Sequence, residues 1–192
     1  MNVLIVGAGG IGSWLAFFLN DLVDKDQFSA DTTFTFADDD IVDKKNVTYQ
    51  NFPLEDISDA KVDSIQTRYL FEGFSGRVED VTFLENYDVV VSAVDNTVFR
   101  KMLFDNEPQE SYYWIDLRSE GNQVSAYSKG ADKEMLLASV SGEVLDASCQ
   151  RKFELEQGII QNGNKIIAAI GSQMILNFYR GEMNKKQFNT MF

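Results

Sequence analysis

Val3-Leu4-Ile5-Val6-Gly7-Ala8-Gly9-Gly10-Ile11-Gly12-Ser13 opens the chain almost at once. Its first four residues form a continuous apolar run, the pattern of a strand buried on both faces. Glycines then replace side chains where the chain must turn. Trp14, Leu15, Phe17, Phe18, Leu19 and Leu22 follow with the pattern of a helix. In that strand–turn–helix setting, Gly7-x-Gly9-x-x-Gly12 reads as a phosphate-binding elbow. The backbone can approach an anion closely, and the helix start offers free N–H groups and a partial positive charge. The alternative reading is tight packing of a helix on a strand through Gly12.

Outward from this elbow, Thr32 to Ala37 alternates as a second strand and ends in Asp38-Asp39-Asp40. An acid there can accept hydrogen bonds from both ribose hydroxyls and disfavours a 2′-phosphate. A solvated acidic turn is the plainer reading. A polar stretch then carries Asn46 and Gln50, and Lys61 to Leu70 reads as helix. Arg77 to Leu84 alternates like a strand, Asp88 to Val94 is another buried run, and Asn96 to Phe104 reads as helix. Tyr112 to Leu117 and Gln123 to Ser128 read as strands, and Asn164 to Tyr179 as a helix ended by Gly181. Residues 130–163 have weak periodicity and are expected to form a mobile loop or lid. Residues 182–192 read as a polar tail whose Phe188 and Phe192 either dock on a partner or stay disordered. The expectation is one domain over residues 1–192: an α/β, Rossmann-like, mainly parallel sheet with helices on both faces. Ligands then belong at the C-terminal ends of the strands.

Composition narrows the chemistry. The 192 residues carry 17 Lys and Arg against 30 Asp and Glu, a net charge of −13, which disfavours nucleic acid and anionic lipid as partners. There is no histidine, so Ser-His-Asp and Cys-His catalysis and His-ligated zinc are excluded. The single cysteine, Cys149, excludes a disulfide within the chain and a CxxC zinc site. No window supplies the ~18–20 apolar residues of a membrane-spanning helix, and the opening run is too short and uncharged for a signal peptide. A reducing cytoplasm is the expected location.

The elbow alone does not separate ATP from NAD. The order of the downstream motifs resembles the ThiF/MoeB/HesA family, the adenylating enzymes related to ubiquitin-activating enzymes. The matching positions are Gly7-Ala8-Gly9-Gly10-Ile11-Gly12, Asp38-Asp39-Asp40, Asn46-Val47-Thr48-Tyr49-Gln50, Lys61, and Asp95-Asn96 followed by Arg100. The doubled Gly9-Gly10 is more family-like than dehydrogenase-like. The resemblance runs from Val3 to about Tyr127 and, more weakly, through the last helix.

The resemblance implies attack by the C-terminal carboxylate of a small ubiquitin-like or sulfur-carrier protein, usually ending in Gly, on the α-phosphorus of ATP with Mg²⁺. A carboxylate needs no general base, so the missing histidine is no obstacle. By carry-over, Gly7, Gly9, Gly10 and Gly12 cradle phosphate, Asp38 holds the ribose, Asp40 counts among the nucleotide-binding residues, and Asn46 and Lys61 address the phosphates. Asp95 holds the magnesium. A helix N-cap is the plain reading of Asp95-Asn96, and a surface lysine that of Lys61. The resemblance also implies a homodimer or heterodimer. Zinc is not expected.

Two departures stand out. Tyr49 occupies the place of a family arginine, and a second arginine, expected ahead of the first strand, has no counterpart. Arg68, Arg77, Arg100 or Arg118 are candidate replacements, Arg118 first, because it follows a strand directed at the same edge. Cys149 sits where relatives carry a cysteine that captures the activated acyl group, with Arg151 or Lys152 as the cation that would favour a thiolate. An inert buried cysteine is the other reading. Two competing functions remain open. One is a catalytically degenerate nucleotide-binding subunit of the same fold, and the other is an NAD-dependent oxidoreductase.

Overall fold

A computed structural model of the chain describes residues 1–106, 111–140 and 152–192. Among the described residues seven strands form one sheet: β1 (Asn2–Val6), β2 (Thr33–Asp38), β3 (Glu72–Ser75), β4 (Val89–Ser92), β5 (Tyr113–Glu120), β6 (Gln123–Ser128) and β7 (Gln187–Met191). Their order across the sheet is β3-β2-β1-β4-β5-β6-β7. The first five run parallel, β6 is antiparallel to β5, and β7 is antiparallel to β6. The helices are α1 (Gly10–Val23), α2 (Lys61–Tyr69), α3 (Val81–Leu84), α4 (Thr97–Asp105), α5 (Lys133–Val140), α6 (Lys152–Glu156) and α7 (Gly163–Tyr179).

Alternation along the strands builds two cores. Val3, Ile5, Val89 and Val91 face one side, where Leu15 and Leu19 of α1, Ile65 of α2 and Ile167 and Ile175 of α7 pack on them. Leu4, Val6, Val90 and Trp114 face the other side, against Leu84, Leu103, Phe104 and Leu136. Helices therefore cover both faces, as the doubly apolar runs required. After β1 the chain steps outward through β2 and β3, then crosses back to place β4 on the other flank of β1. That reversal opens a crevice at the C-terminal ends of β1 and β4, the position where open α/β sheets hold ligands.

Three expectations change. Residues 77–84 do not form a strand. The edge strand is β3, and Val81–Leu84 is a short helix whose N-cap, Asp80, accepts the Thr82 N–H at 2.9 Å. The three-residue spacing of Val78, Val81 and Leu84 suits a helical face as well as an alternating strand, and the Asp80 cap decides for helix. Residues 182–192 are not simply a tail. Gln187–Met191 closes the sheet against β6, with Phe188 packed on the first core. Its alternation is too short and too polar to stand out in the sequence. Within the expected lid, Lys133–Val140 is a helix that buries Leu136 and Val140, capped by Asp132 through the Met135 N–H at 2.9 Å. The last helix begins at Gly163 and ends in a paired reverse bond, Gly181 N–H to Phe178 O and Glu182 N–H to Asn177 O, with Gly181 at φ 70°. Among the described residues, no helix is long and apolar enough to cross a membrane.

Candidate functional site

The glycine elbow lies at the crevice, and its surroundings explain its composition. Gly7 has φ 99°, and a side chain there would meet Ala93 O at 2.6 Å. A Cβ on Gly12 would fall on Gly7 O, and one on Gly10 would lie 2.5 Å from Asn164 Nδ2. These three glycines are needed by the fold itself. Gly9 differs: a Cβ there would meet only Gln50 Nε2, at 3.9 Å. The open space over Gly9, at the uncapped start of α1 with no acid in its first turn, is the room an anion needs.

Four walls surround the elbow. The end of β4 supplies the first, since Ala93 and Val94 run against Gly7 and lead directly into Asp95. Asp95 is exposed, and no hydrogen bond or ion pair among the described residues engages it. The N-cap of α4 is Asn96, whose Oδ1 accepts the Phe99 N–H at 3.1 Å. The capping role thus falls to Asn96 and leaves the Asp95 carboxylate free.

The end of β2 is the second wall. Asp38 Oδ2 accepts the Ala8 N–H at 2.6 Å and Oδ1 accepts the Asp40 N–H at 2.9 Å. Lys61, the first residue of α2, is only 5% exposed and reaches Asp40 Oδ2 at 2.6 Å and Asp38 Oδ1 at 3.7 Å. An ammonium group is thus held against the elbow by its acids rather than left on a surface. Burial pushes the Asp38 carboxyl above its ordinary value, opposed by the Lys61 charge and by the N–H groups of Ala8 and Asp40. Both Asp38 oxygens are already committed, whereas the Asp40 side chain is 67% exposed and better placed to meet a ligand. Asp38, Asp39 and Asp40 bring their carboxylates within 4.8 Å of one another.

The third wall is the segment from Asn46 to Asn51, fastened to α1 by Trp14 Nε1–H donating to Tyr49 O at 3.1 Å and by Asn51 N–H donating to Ser13 Oγ at 3.0 Å. Asn46 is buried and its Oδ1 accepts the Asp43 N–H at 2.8 Å, so this side chain closes its own turn. Gln50 is buried beside Gly9, and its Oε1 has no hydrogen-bond partner among the described residues. The start of α7 is the fourth wall, where Asn164 abuts Gly10.

Arg118 belongs to a different group. Asp116, fully buried on β5, receives Arg100 Nε at 3.0 Å on one oxygen and Arg118 Nε at 2.6 Å on the other. Arg118 also donates to Ser139 Oγ at 2.8 Å and lies 4.7 Å from the centre of the Tyr127 ring. These contacts are with α5 and the second core: Gly7, Gly9, Gly10, Gly12, Asp38, Asp40 and Lys61 lie together with Asp95 just beyond the strand end that abuts Gly7, whereas the bonds of Arg118 among the described residues go to Asp116 and Ser139. Arg77 pairs with Asp39 at 2.7 Å on the surface, and Arg68 donates to Asn51 O. Cys149 lies outside the described residues.

A model of the ThiF family matches residues 1–192. The chain belongs to the ThiF family. Solved structures similar to it include Escherichia coli MccB with ATP, at 16% identity and TM-score 0.68, and the same protein with AMPCPP and MccA, at 16% and 0.69. In both cases all of this chain and 60% of the other is covered. PaaA is similar at 16% identity and TM-score 0.65, again over all of this chain and 60% of the other. This ThiF-family chain therefore spans about 60% of the length of the structures it matches. None of the curated proteins matches it.

Gln50 has no role assigned by the sequence pattern, and Asn164 stands out in none of its motifs. Each looks unremarkable in isolation: an amide after a tyrosine and an amide at a helix start. Their significance comes from burial beside the elbow, for which the sequence carries no signal.

Proposed function

We propose that this chain uses ATP and Mg²⁺ to adenylylate the C-terminal carboxylate of a small polypeptide. The observation that carries the reading is the buried Lys61 ammonium, held by Asp38 and Asp40 at the edge of a glycine elbow whose Gly9 leaves open space. A buried cation with an exposed carboxylate partner can exchange that partner for a phosphate oxygen at little reorganisation. ThiF membership supports the adenylyl-transfer chemistry, and the ATP, AMPCPP and MccA seen with MccB support a nucleotide and a peptide as substrates.

In this reading a carboxylate oxygen forms a bond to the α-phosphorus while the bond to the bridging oxygen of pyrophosphate breaks. The products are an acyl-adenylate and pyrophosphate, and no proton changes hands. The N–H groups at the start of α1 and the Lys61 ammonium hold the phosphates, and Asp40 takes the ribose end. The free Asp95 carboxylate suits magnesium, a hard cation that takes one or two carboxylates and keeps waters. Magnesium supplies charge neutralisation on the phosphates. The finer expectations stand with this proposal: an acyl substrate of ubiquitin-like or sulfur-carrier type ending in Gly, a homodimer or heterodimer, and onward transfer to Cys149.

A specific observation favours a second reading, in which the chain binds nucleotide without catalysis. Tyr49 stands in the family arginine's place, its hydroxyl 3.5 Å from Asn46 Nδ2, and Arg118 is bound to Asp116. ATP–pyrophosphate exchange with candidate carrier proteins, together with calorimetric titration of ATP and NAD, separates the possibilities. Exchange supports the proposal. ATP binding without exchange favours the second reading, and preference for NAD overturns both.

A further inference from the structure

The side of the elbow formed by α7 is not used by the nucleotide in the reading above. α1 and α7 run side by side in the same direction. Gly10 meets Asn164 at one end, and at the other Arg180 donates to Gln27 Oε1 at 2.7 Å while Tyr179 OH accepts the Ser29 N–H at 3.0 Å. Both N-termini therefore open at the same edge of the sheet. Neither is capped by a side chain, and neither carries an acid in its first turn, in a chain with 30 acidic residues. The first turn of α7 instead carries Lys165, whose ammonium lies 4.7 Å from the centre of the Trp14 ring. Asp38 meets the α1 end through the Ala8 N–H, whereas the α7 end, with no acid in its first turn, favours an anion beside it.

Asn164 says which anion. It is 1% exposed, and neither Nδ2 nor Oδ1 has a hydrogen-bond partner among the described residues. Phosphate oxygens are acceptors, so they can satisfy Nδ2 but leave Oδ1 unpaired. The last residue of a polypeptide offers both halves of the match: a main-chain N–H to donate and a carboxylate to accept.

We propose that Asn164 and the first turn of α7 bind the C-terminal residue of the acyl substrate. Oδ1 accepts that residue's N–H, and Nδ2 with the N–H groups of α7 donates to its carboxylate. This seats the carboxylate against the elbow on the side away from Lys61, facing the nucleotide phosphates. Both amide atoms are sealed in the unliganded chain, so docking opens the contact between Gly10 and Asn164. The inference rests on the adenylylation reading for its acyl substrate and involves binding only.

The test uses the full chain with N-acetyl-glycylglycine as probe and its C-terminal amide as control. In protein carrying ¹⁵N-labelled asparagine, the Asn164 side-chain resonance should shift with the acid and not with the amide. Asn164→Ala should weaken binding of the acid at least about tenfold, the effect of one charge-assisted hydrogen bond. Asn164→Asp should weaken it further by repulsion, and in Asn164→Ala the loss of acid binding should exceed any loss of ATP affinity at least about fivefold. A resonance that ignores the acid, or that responds equally to the amide, overturns the proposal. A loss of ATP affinity in Asn164→Ala as large as the loss of acid binding also overturns it, by placing Asn164 in the nucleotide site. The labelled wild-type titration stands even if a variant fails to fold. Wild-type protein that binds the acid at Asn164 but no ATP would sink the adenylylation reading and leave this one intact.

Discussion

Lys61 with Asp38 and Asp40 closes the end of β2, while Asp116 on β5 gathers Arg100 and Arg118. Both clusters place buried cations on carboxylates near the C-terminal edge of one sheet. Their surroundings differ. Asp116 is fully buried, and Arg100 is also held by Val94 O and by Leu117 O at 3.5 Å, so both carboxylate oxygens and the Arg100 guanidinium are taken up, leaving only Arg118 Nη2 without a partner among the described residues. In the Lys61 cluster Asp40 is mostly exposed, and Asp38 is bonded to Ala8 within the elbow. Buried charge is thus a poor guide to function taken alone. What distinguishes the Lys61 cluster is a replaceable partner next to open space.

The largest expected effect comes from breaking the sealed cluster. Asp116→Ala strands the buried Arg100 guanidinium and the half-buried one of Arg118, and denaturant unfolding should show a loss of about 3–5 kcal/mol. ATP affinity of the protein that remains folded should change little. An ATP loss greater than that of a Lys61 variant would reverse the contrast between the two clusters.

Lys61→Met should act the other way round. Pyrophosphate exchange should fall by about 10²–10³-fold, as for loss of a charge-stabilising group. Stability should fall less than in Asp116→Ala, because Asp38 keeps its two N–H donors and can take up a proton. Equal destabilisation by the two variants would mean that the Lys61 cluster is structural as well.

Within the elbow, Gly9→Ala should leave stability within about 0.5 kcal/mol of wild type while ATP binding weakens, since the new methyl occupies open space rather than protein. Gly12→Ala, aimed at Gly7 O, should compromise folding instead. Circular dichroism and ATP titration of the pair read the two outcomes.

The smallest effect is one of pH. The Asp38 carboxyl is raised above 3.8, so between 3.8 and its raised value the folded chain holds a proton that the unfolded chain has released. Its contribution to stability therefore falls as pH rises through that window and is constant above it. The stability of wild type minus that of Asp38→Asn, followed by denaturant titration at several pH values, should decline in that direction. A difference that rises with pH would mean that the Lys61 pairing outweighs burial.

The apolar runs Val3 to Val6 and Val89 to Val94, with the glycines between β1 and α1, determined the α/β class and the elbow by themselves. Side-chain period and the need to turn are local properties, readable along the chain. The order of Asp38, Lys61 and Asp95 along the sequence carried the family resemblance as well. Only the tertiary structure decided that α7 lies parallel to α1 and brings Asn164 against Gly10, more than 150 residues away in sequence. It also decided that Asp116 claims Arg118 and that residues 187–191 complete the sheet. Such pairings depend on which surfaces are free once the strands have ordered themselves, and a side chain's burial or choice of partner is a property of the assembled packing rather than of its neighbours in the chain.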